Sequence, residues 1–268
     1  MLSPEKITLV PELAATPPVM VPVSHNARPY DYHRFLAEIV DVYDSPIIRA
    51  YCKARFTIIN INILQMLGLC LRGKKRILDV GCGFGLFGCY FSSMYPEIEY
   101  CGYDLNESRV REANLAAERL GLRNARFKVG DARDLDINEQ YDAIMMVDLL
   151  HHIDDTAKST LLGICASHLA TDGRLIIKDV TTRPFFKIAF TWALDVVMTK
   201  SFDMWYWNEK RFYKKLGRHF DRIEMYPITD WLPYPHVIYL CENVAEQERV
   251  ADGQALGNGS SVKFGVEV

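Results

Sequence analysis

Residues 77–88 read ILDVGCGFGLFG: an apolar run interrupted by one aspartate, then glycines at 81, 83, 85 and 88. No other stretch restricts the fold as tightly. Branched apolar residues favour a buried strand. Closely spaced glycines favour a tight turn whose backbone approaches a ligand. The sequence downstream repeats this strand–turn–helix unit. Strands are expected at 76–80, 98–103, 125–129, 141–147 and 173–178, and helices at 86–95, 107–120 and 155–169. That alternation builds a parallel sheet with helices on both faces. Two further strands, 220–226 and 236–242, are joined by PITDWLPYP. The link is too short for a helical crossover, so this pair is expected to be antiparallel.

Upstream, six of the twelve prolines fall within residues 1–29, which read as an extended arm and interrupt every apolar run that a signal peptide would need. Tyr32, Phe35, Leu36, Ile39, Val40 and Tyr43 mark one face of a helix. Ser45-Pro46 starts another, expected to run to about Leu71. The expected organisation is an arm at 1–29, a helical cap at 30–72, a catalytic domain at 73–244 and a Gly/Ser-rich tail at 245–268. A net charge of −3 with no long basic run argues against nucleic acid as a partner. Seven cysteines, odd in number and without a CxxC pair, read as reduced thiols of a cytoplasmic protein. No apolar run reaches the roughly 18 residues that span a bilayer.

Gly83 to Gly88 satisfies GxGxxG, which alone suits a nicotinamide oxidoreductase. Three acids argue for a different ligand. Asp79 ends the first strand, where a carboxylate repels a pyrophosphate and suits an ammonium. Asp104 ends the second strand, where an acid accepts ribose hydroxyls. Asp131 follows the third, in GDA, within reach of an adenine amino group.

With ILDVGCGFG, GYDLNE, VGDARDL, YDAIMMVDLLHHI and GRLIIKDV in order from Arg76 to Val180, the chain resembles the class I SAM-dependent methyltransferases, in their UbiE-like quinone and small-molecule branch. The resemblance implies a Rossmann-like, doubly wound, seven-stranded sheet with its last strand antiparallel. It implies S-adenosyl-L-methionine (SAM) as cofactor. Gly81, Gly83 and Gly85 would then pass the methionine and ribose, Asp104 would hold the ribose, and Asp131 and Ala132 the adenine. Asp79, Cys82, Leu105 and Asp148 complete the candidate cofactor contacts. A SAM-binding partner subunit without catalysis is the other reading of the same motifs.

Methyl transfer from a sulfonium mainly needs alignment, and a base only where the acceptor loses a proton. His151 and His152, in VDLLHHIDD, are the candidate bases. Asp148 and Asp179 end strands as the Mg²⁺-holding acids of catechol-type enzymes do, but no third oxygen ligand accompanies them, so no metal is expected. The DLLH stretch also lacks the Asn/Asp-Pro-Pro-aromatic tetrad of nucleic-acid amino-methyltransferases. Residues 181–218 form an insert in which polar Lys187, Thr191, Asp195 and Thr199 leave a wide apolar surface, followed by aromatics with Lys210, Arg211, Lys214, Lys215 and Arg218. Three roles suit it: a helix buried on the cap, a lid over an apolar acceptor, or peripheral membrane contact through 185–218. The expected activity is methylation of oxygen or carbon on a hydrophobic small molecule.

Overall fold

The computed structural model describes residues 7–9, 31–134, 139–182, 205–228 and 235–244. The strands are β1 (Ile7–Leu9), β2 (Arg76–Val80), β3 (Glu99–Asp104), β4 (Ala125–Val129), β5 (Tyr141–Val147), β6 (Leu169–Val180), β7 (Phe220–Pro227) and β8 (His236–Val244). The helices are α1 (Tyr32–Asp41), α2 (Pro46–Ile58), α3 (Ile61–Leu71), α4 (Leu86–Met94), α5 (Glu107–Arg119), α6 (Asp155–Ser167) and α7 (Glu209–Leu216). Hydrogen bonding orders the strands β1-β7-β8-β6-β5-β2-β3-β4. Among the ladders, β8 runs antiparallel to both β6 and β7, as the short connection requires. The expected doubly wound sheet is therefore present, with the short β1 added parallel to β7 from a segment read as an unpaired arm.

The chain divides into two compact units, and β5 contributes residues to both. In the unit that holds residues 13–135 and 141–145, β2 pairs with β3 from Arg76↔Glu99 to Val80↔Tyr103. This register aligns the turn after β2 with the end of β3. The side chain of Asp142 accepts the backbone N–H groups of Lys75 and Arg76 at 2.8 and 2.9 Å, which fixes where β2 begins. Helix α4 is buried along almost its whole length, and Gly88 lets it approach the sheet: a Cβ there would lie 2.6 Å from the Phe127 ring.

The helix expected from Ser45 to Leu71 is two helices, bent by 78°. Ile59 leaves helical geometry at φ −88° and ψ 74°, and the Asn60 side chain then accepts from the N–H groups of Asn62 and Ile63. The apolar pattern runs through the break, so periodicity missed it. The capping preference of asparagine is what ends one helix and starts the next. Helix α1 matches its expected face: Ile39 and Val40 are buried, as is Tyr43 just beyond it.

In the unit that holds residues 146–268, β6, β7 and β8 stack Leu175, Ile177, Tyr239, Cys241 and Ile223 into the core. Helix α7 adds Phe212, Tyr213 and Leu216. The insert segment 183–204, including the proposed lid 185–198, lies outside the described residues, as do the tail from 245 and most of the arm. Among the described residues, no single helix is long and apolar enough to cross a membrane.

The break at Asn60 carries a prediction. Asn60→Ala removes the side-chain acceptor of α3 and should destabilise the protein by about 1 kcal/mol, whereas Asn60→Asp or Asn60→Ser should stay close to the wild type. Urea denaturation measures the difference.

Candidate functional site

The glycine turn is anchored at several points. Gly81 and Cys82 donate their backbone N–H groups to the carbonyl of Tyr103 at 2.8 and 3.0 Å. Gly83 donates to Asp104 Oδ2 at 2.8 Å, and Asn106 donates to Asp104 Oδ1 at 2.8 Å. The Asp104 carboxylate thus joins the turn after β2 to the end of β3 and opens α5, where Asn106 is the N-cap. Each of its oxygens receives one backbone donor, and a carboxylate accepts about four hydrogen bonds in all. The carboxylate expected from sequence to meet a ribose is seen here to hold the loop.

Gly81, Gly83 and Gly85 all have positive φ, at 81°, 55° and 73°. Gly85 caps α4 in the left-handed conformation, and a Cβ on it would meet Ala113 at 2.6 Å and Phe127 at 2.8 Å. A Cβ on Gly83 would meet nothing within 4 Å, so its backbone is approachable. The cap helices hold the loop from the other side. Tyr43, buried beyond α1, donates its hydroxyl to the Phe84 carbonyl at 2.8 Å. The Tyr51 ring meets Phe84 edge-on at 5.3 Å, and Arg109 lies 5.7 Å from the same ring.

Asp79 is 2% exposed and accepts a 2.8 Å hydrogen bond from the buried Tyr100 hydroxyl. Burial raises its carboxyl from 3.8 to about 7, opposed by the Tyr100 bond and reinforced by Asp104. Burial also keeps Tyr100 well above its ordinary range, so it remains a donor. The Cys82 thiol is buried, and burial pushes it up as well. Leu105 and Val129, at the ends of neighbouring β3 and β4, are 55% and 52% exposed. Asp131 follows β4, half-buried, and the buried Ala132 starts a 3-10 turn.

The remaining candidates lie in the other unit. Asp148 has φ 53°, and no other non-glycine among the described residues has positive φ. Its carboxylate is ion-paired at 2.5 Å with Lys178, whose side chain is fully buried. His151 Nδ1 lies 2.6 Å from Asp179 Oδ1, with both side chains almost fully buried. Val180 N–H also donates to that oxygen at 2.8 Å. His152 stands half-buried, its ring 4.1 Å from that of His151. Asp148 and Asp179 are thus matched by a lysine and a histidine, and among the described residues no group of three acids, histidines or cysteines is arranged to hold a metal. Sequence reading did not anticipate Tyr100, Lys178 or the His151–Asp179 pair, whose partners are 21 to 30 positions apart along the chain. The signal was that Lys178 and Asp179 directly follow the apolar run Leu175–Ile177 within β6.

Comparison with known proteins places residues 77–173 under a family model described as a methyltransferase domain. The ubiquinone biosynthesis O-methyltransferase of Nitrobacter winogradskyi is 27% identical over 159 residues, 57% of this chain and 57% of that one. The chain spans about half the length of the curated relatives it matches, 42–57% of the first three. Among solved structures, the SAM-dependent methyltransferase SibL superposes with a TM-score of 0.60 at 16% identity, over 76% of this chain and 61% of its own. Magnesium protoporphyrin IX methyltransferase from Synechocystis superposes with a TM-score of 0.56 at 17% identity, over 78% of this chain and 95% of its own. At these identities the likeness to SibL and to the Synechocystis enzyme establishes the fold.

Two predictions follow from the loop itself. Gly85→Ala should destabilise by about 2–4 kcal/mol, since it adds backbone strain to a steric clash, while Gly83→Ala should cost only about 1–2 kcal/mol, for the strain alone. Chemical denaturation separates the two. The second concerns pH. Because the folded-state value of Asp79 is raised, its share of stability is full below about pH 4 and is lost as pH rises towards 7. Asp79→Asn keeps an acceptor for Tyr100 and removes the charge. Its stability relative to wild type should therefore climb between pH 4 and 7, by on the order of 1–3 kcal/mol. A pH-independent difference in urea titrations would refute it.

Proposed function

We propose, from the premise that residues 77–173 are a methyltransferase domain of the SAM-dependent class, that this chain methylates a hydroxyl oxygen of a hydrophobic small molecule, using SAM. The observation that carries the cofactor assignment is the loop tied to Asp104. Its carboxylate has acceptor capacity left for two ribose hydroxyls. Exposed Leu105 and Val129 offer apolar surface to the faces of an adenine, and the open backbone at Gly83 admits close approach. The methyltransferase family model over residues 77–173 weighs for SAM over a nicotinamide dinucleotide. When bound, SAM supplies a methyl group on a positively charged sulfur.

His151 is the proposed base. Nδ1–H donating to the Asp179 carboxylate fixes the tautomer and leaves Nε2 as the basic nitrogen. The negative carboxylate also stabilises the imidazolium that forms when Nε2 takes a proton. A base held in this way suits an acceptor whose hydroxyl must lose a proton, and so favours oxygen over carbon. The Nitrobacter relative, an O-methyltransferase by name, supports a phenol or quinone precursor as the acceptor class.

Two variants test the two halves separately. Asp104→Asn keeps the size of the side chain and loses its charge. It should weaken SAM binding by roughly 10- to 150-fold in calorimetry, through loss of charge-assisted hydrogen bonds. His151→Gln should leave SAM affinity within about twofold and lower kcat by about 10²- to 10⁴-fold with an alkylated phenol as acceptor. Unchanged SAM affinity in a folded Asp104→Asn protein removes the cofactor assignment. Wild-type turnover by His151→Gln removes the base.

A further inference from the structure

Trp205, Tyr206 and Trp207 clasp the turn that carries His151. The backbone N–H of Trp205 donates to the His151 carbonyl at 2.8 Å. The Trp205 carbonyl accepts from the ammonium of Lys158, on α6. Trp207 is 2% exposed, and its indole N–H donates to Asp155 at 2.5 Å. Three cations surround the Trp207 ring, Lys158 at 4.8 Å and Arg211 and Lys215 at 5.8 Å. Arg211 also pairs with Asp155, and Lys215 donates to Ser159 at 2.7 Å. Between these fastenings, the Tyr206 ring is stacked on the His151 imidazole, with centroids 5.6 Å apart and planes at 13°.

Lys158 is the unusual member. It is 1% exposed, and burial lowers its ammonium to about 8. A buried ammonium is unfavourable unless its donors are satisfied. Here the satisfied group is the carbonyl that fixes Trp205, so the charge serves the clasp. The imidazole shows why a clasp matters. Asp179 engages Nδ1, and that bond together with the covalent tether at Cβ sets the plane of the ring. The Tyr206 ring, nearly parallel to it, packs alongside and resists tilting of the imidazole, which steadies the direction of Nε2. Asp179 from β6, His152 from the same turn and Tyr206 lie against the ring, and Lys158 from α6 acts on Asp179.

We propose that Tyr206 is a positioning residue for His151 and that Lys158 is the tie that keeps Tyr206 in place. Its catalytic consequence rests on His151 acting as the base. The structural part does not, because the orientation of the imidazole is observable without turnover.

The test uses the full chain. A short, buried histidine–carboxylate bond gives a low-field Nδ1 proton resonance that exchanges slowly with water. Assignment comes from its loss in Asp179→Asn. Tyr206→Leu should abolish the resonance or speed its exchange at least about tenfold, with SAM affinity within about twofold. Tyr206→Phe should preserve it, because a phenyl ring stacks equally well. Lys158→Met should speed its exchange in the same direction, in part because Lys158 also acts on Asp179, so Tyr206→Met decides the matter if Tyr206→Leu does not fold. With an alkylated phenol as acceptor, Tyr206→Leu should lower kcat roughly tenfold or more and leave the KM for SAM unchanged. A wild-type resonance and exchange rate in folded Tyr206→Leu overturn the proposal, as does unchanged kcat where His151→Gln is impaired. If His151→Gln turns over normally while Tyr206→Leu loses the resonance, the base reading fails and the positioning role stands.

Discussion

The carboxylate of Asp104 is the constraint on which the glycine-loop unit depends. One of its oxygens holds the N–H of Gly83 and the other that of Asn106, so a single side chain sets the turn after β2 and the start of α5. The β2–β3 register makes this possible, because it brings the two strand ends level. Tyr43, between α1 and α2, and Arg109, on α5, then hold Phe84 within the same turn. Glycine takes positive φ without steric penalty, so Gly81, Gly83 and Gly85 allow the turn its shape and the fastenings at both ends hold it there. A loop that adopted this shape only on ligand binding would lose affinity to ordering entropy.

The other unit shows how buried charge is made tolerable. Lys178 meets Asp148, His151 meets Asp179, and Lys158 meets a backbone carbonyl. Each is a charged or titratable group in a largely apolar setting, and each has a short polar partner. Isolated burial of such groups is strongly unfavourable, so sites of this kind persist where orientation matters more than stability. Asp148 adds a left-handed backbone at a non-glycine residue, a strain that clusters at functional positions.

The fold was largely legible in the sequence because its signals are local. Strand–turn–helix alternation from Arg76 onward placed β2 and β5 at their observed bounds, and the brevity of PITDWLPYP gave the antiparallel direction of β8. The helix break at Asn60 was not legible from periodicity, since Ile58, Ile59, Ile61 and Ile63 continue an apolar pattern across it. The candidate site was legible as residue types and not as partners. Asp104 and Asp79 were evident from their place after strands, but the donors that occupy them, Gly83 and Tyr100, follow from sheet register and burial. His151 was evident as one of two adjacent histidines. Its selection over His152 came from Asp179, 28 positions away, and from Tyr206 within the insert.

Calorimetric titration of the unmodified chain with SAM, S-adenosylhomocysteine and NADH tests the central claim most directly. A loop fastened by Asp104 should bind SAM and S-adenosylhomocysteine at one shared site and leave NADH unbound. Saturable NADH binding with no SAM binding would contradict it.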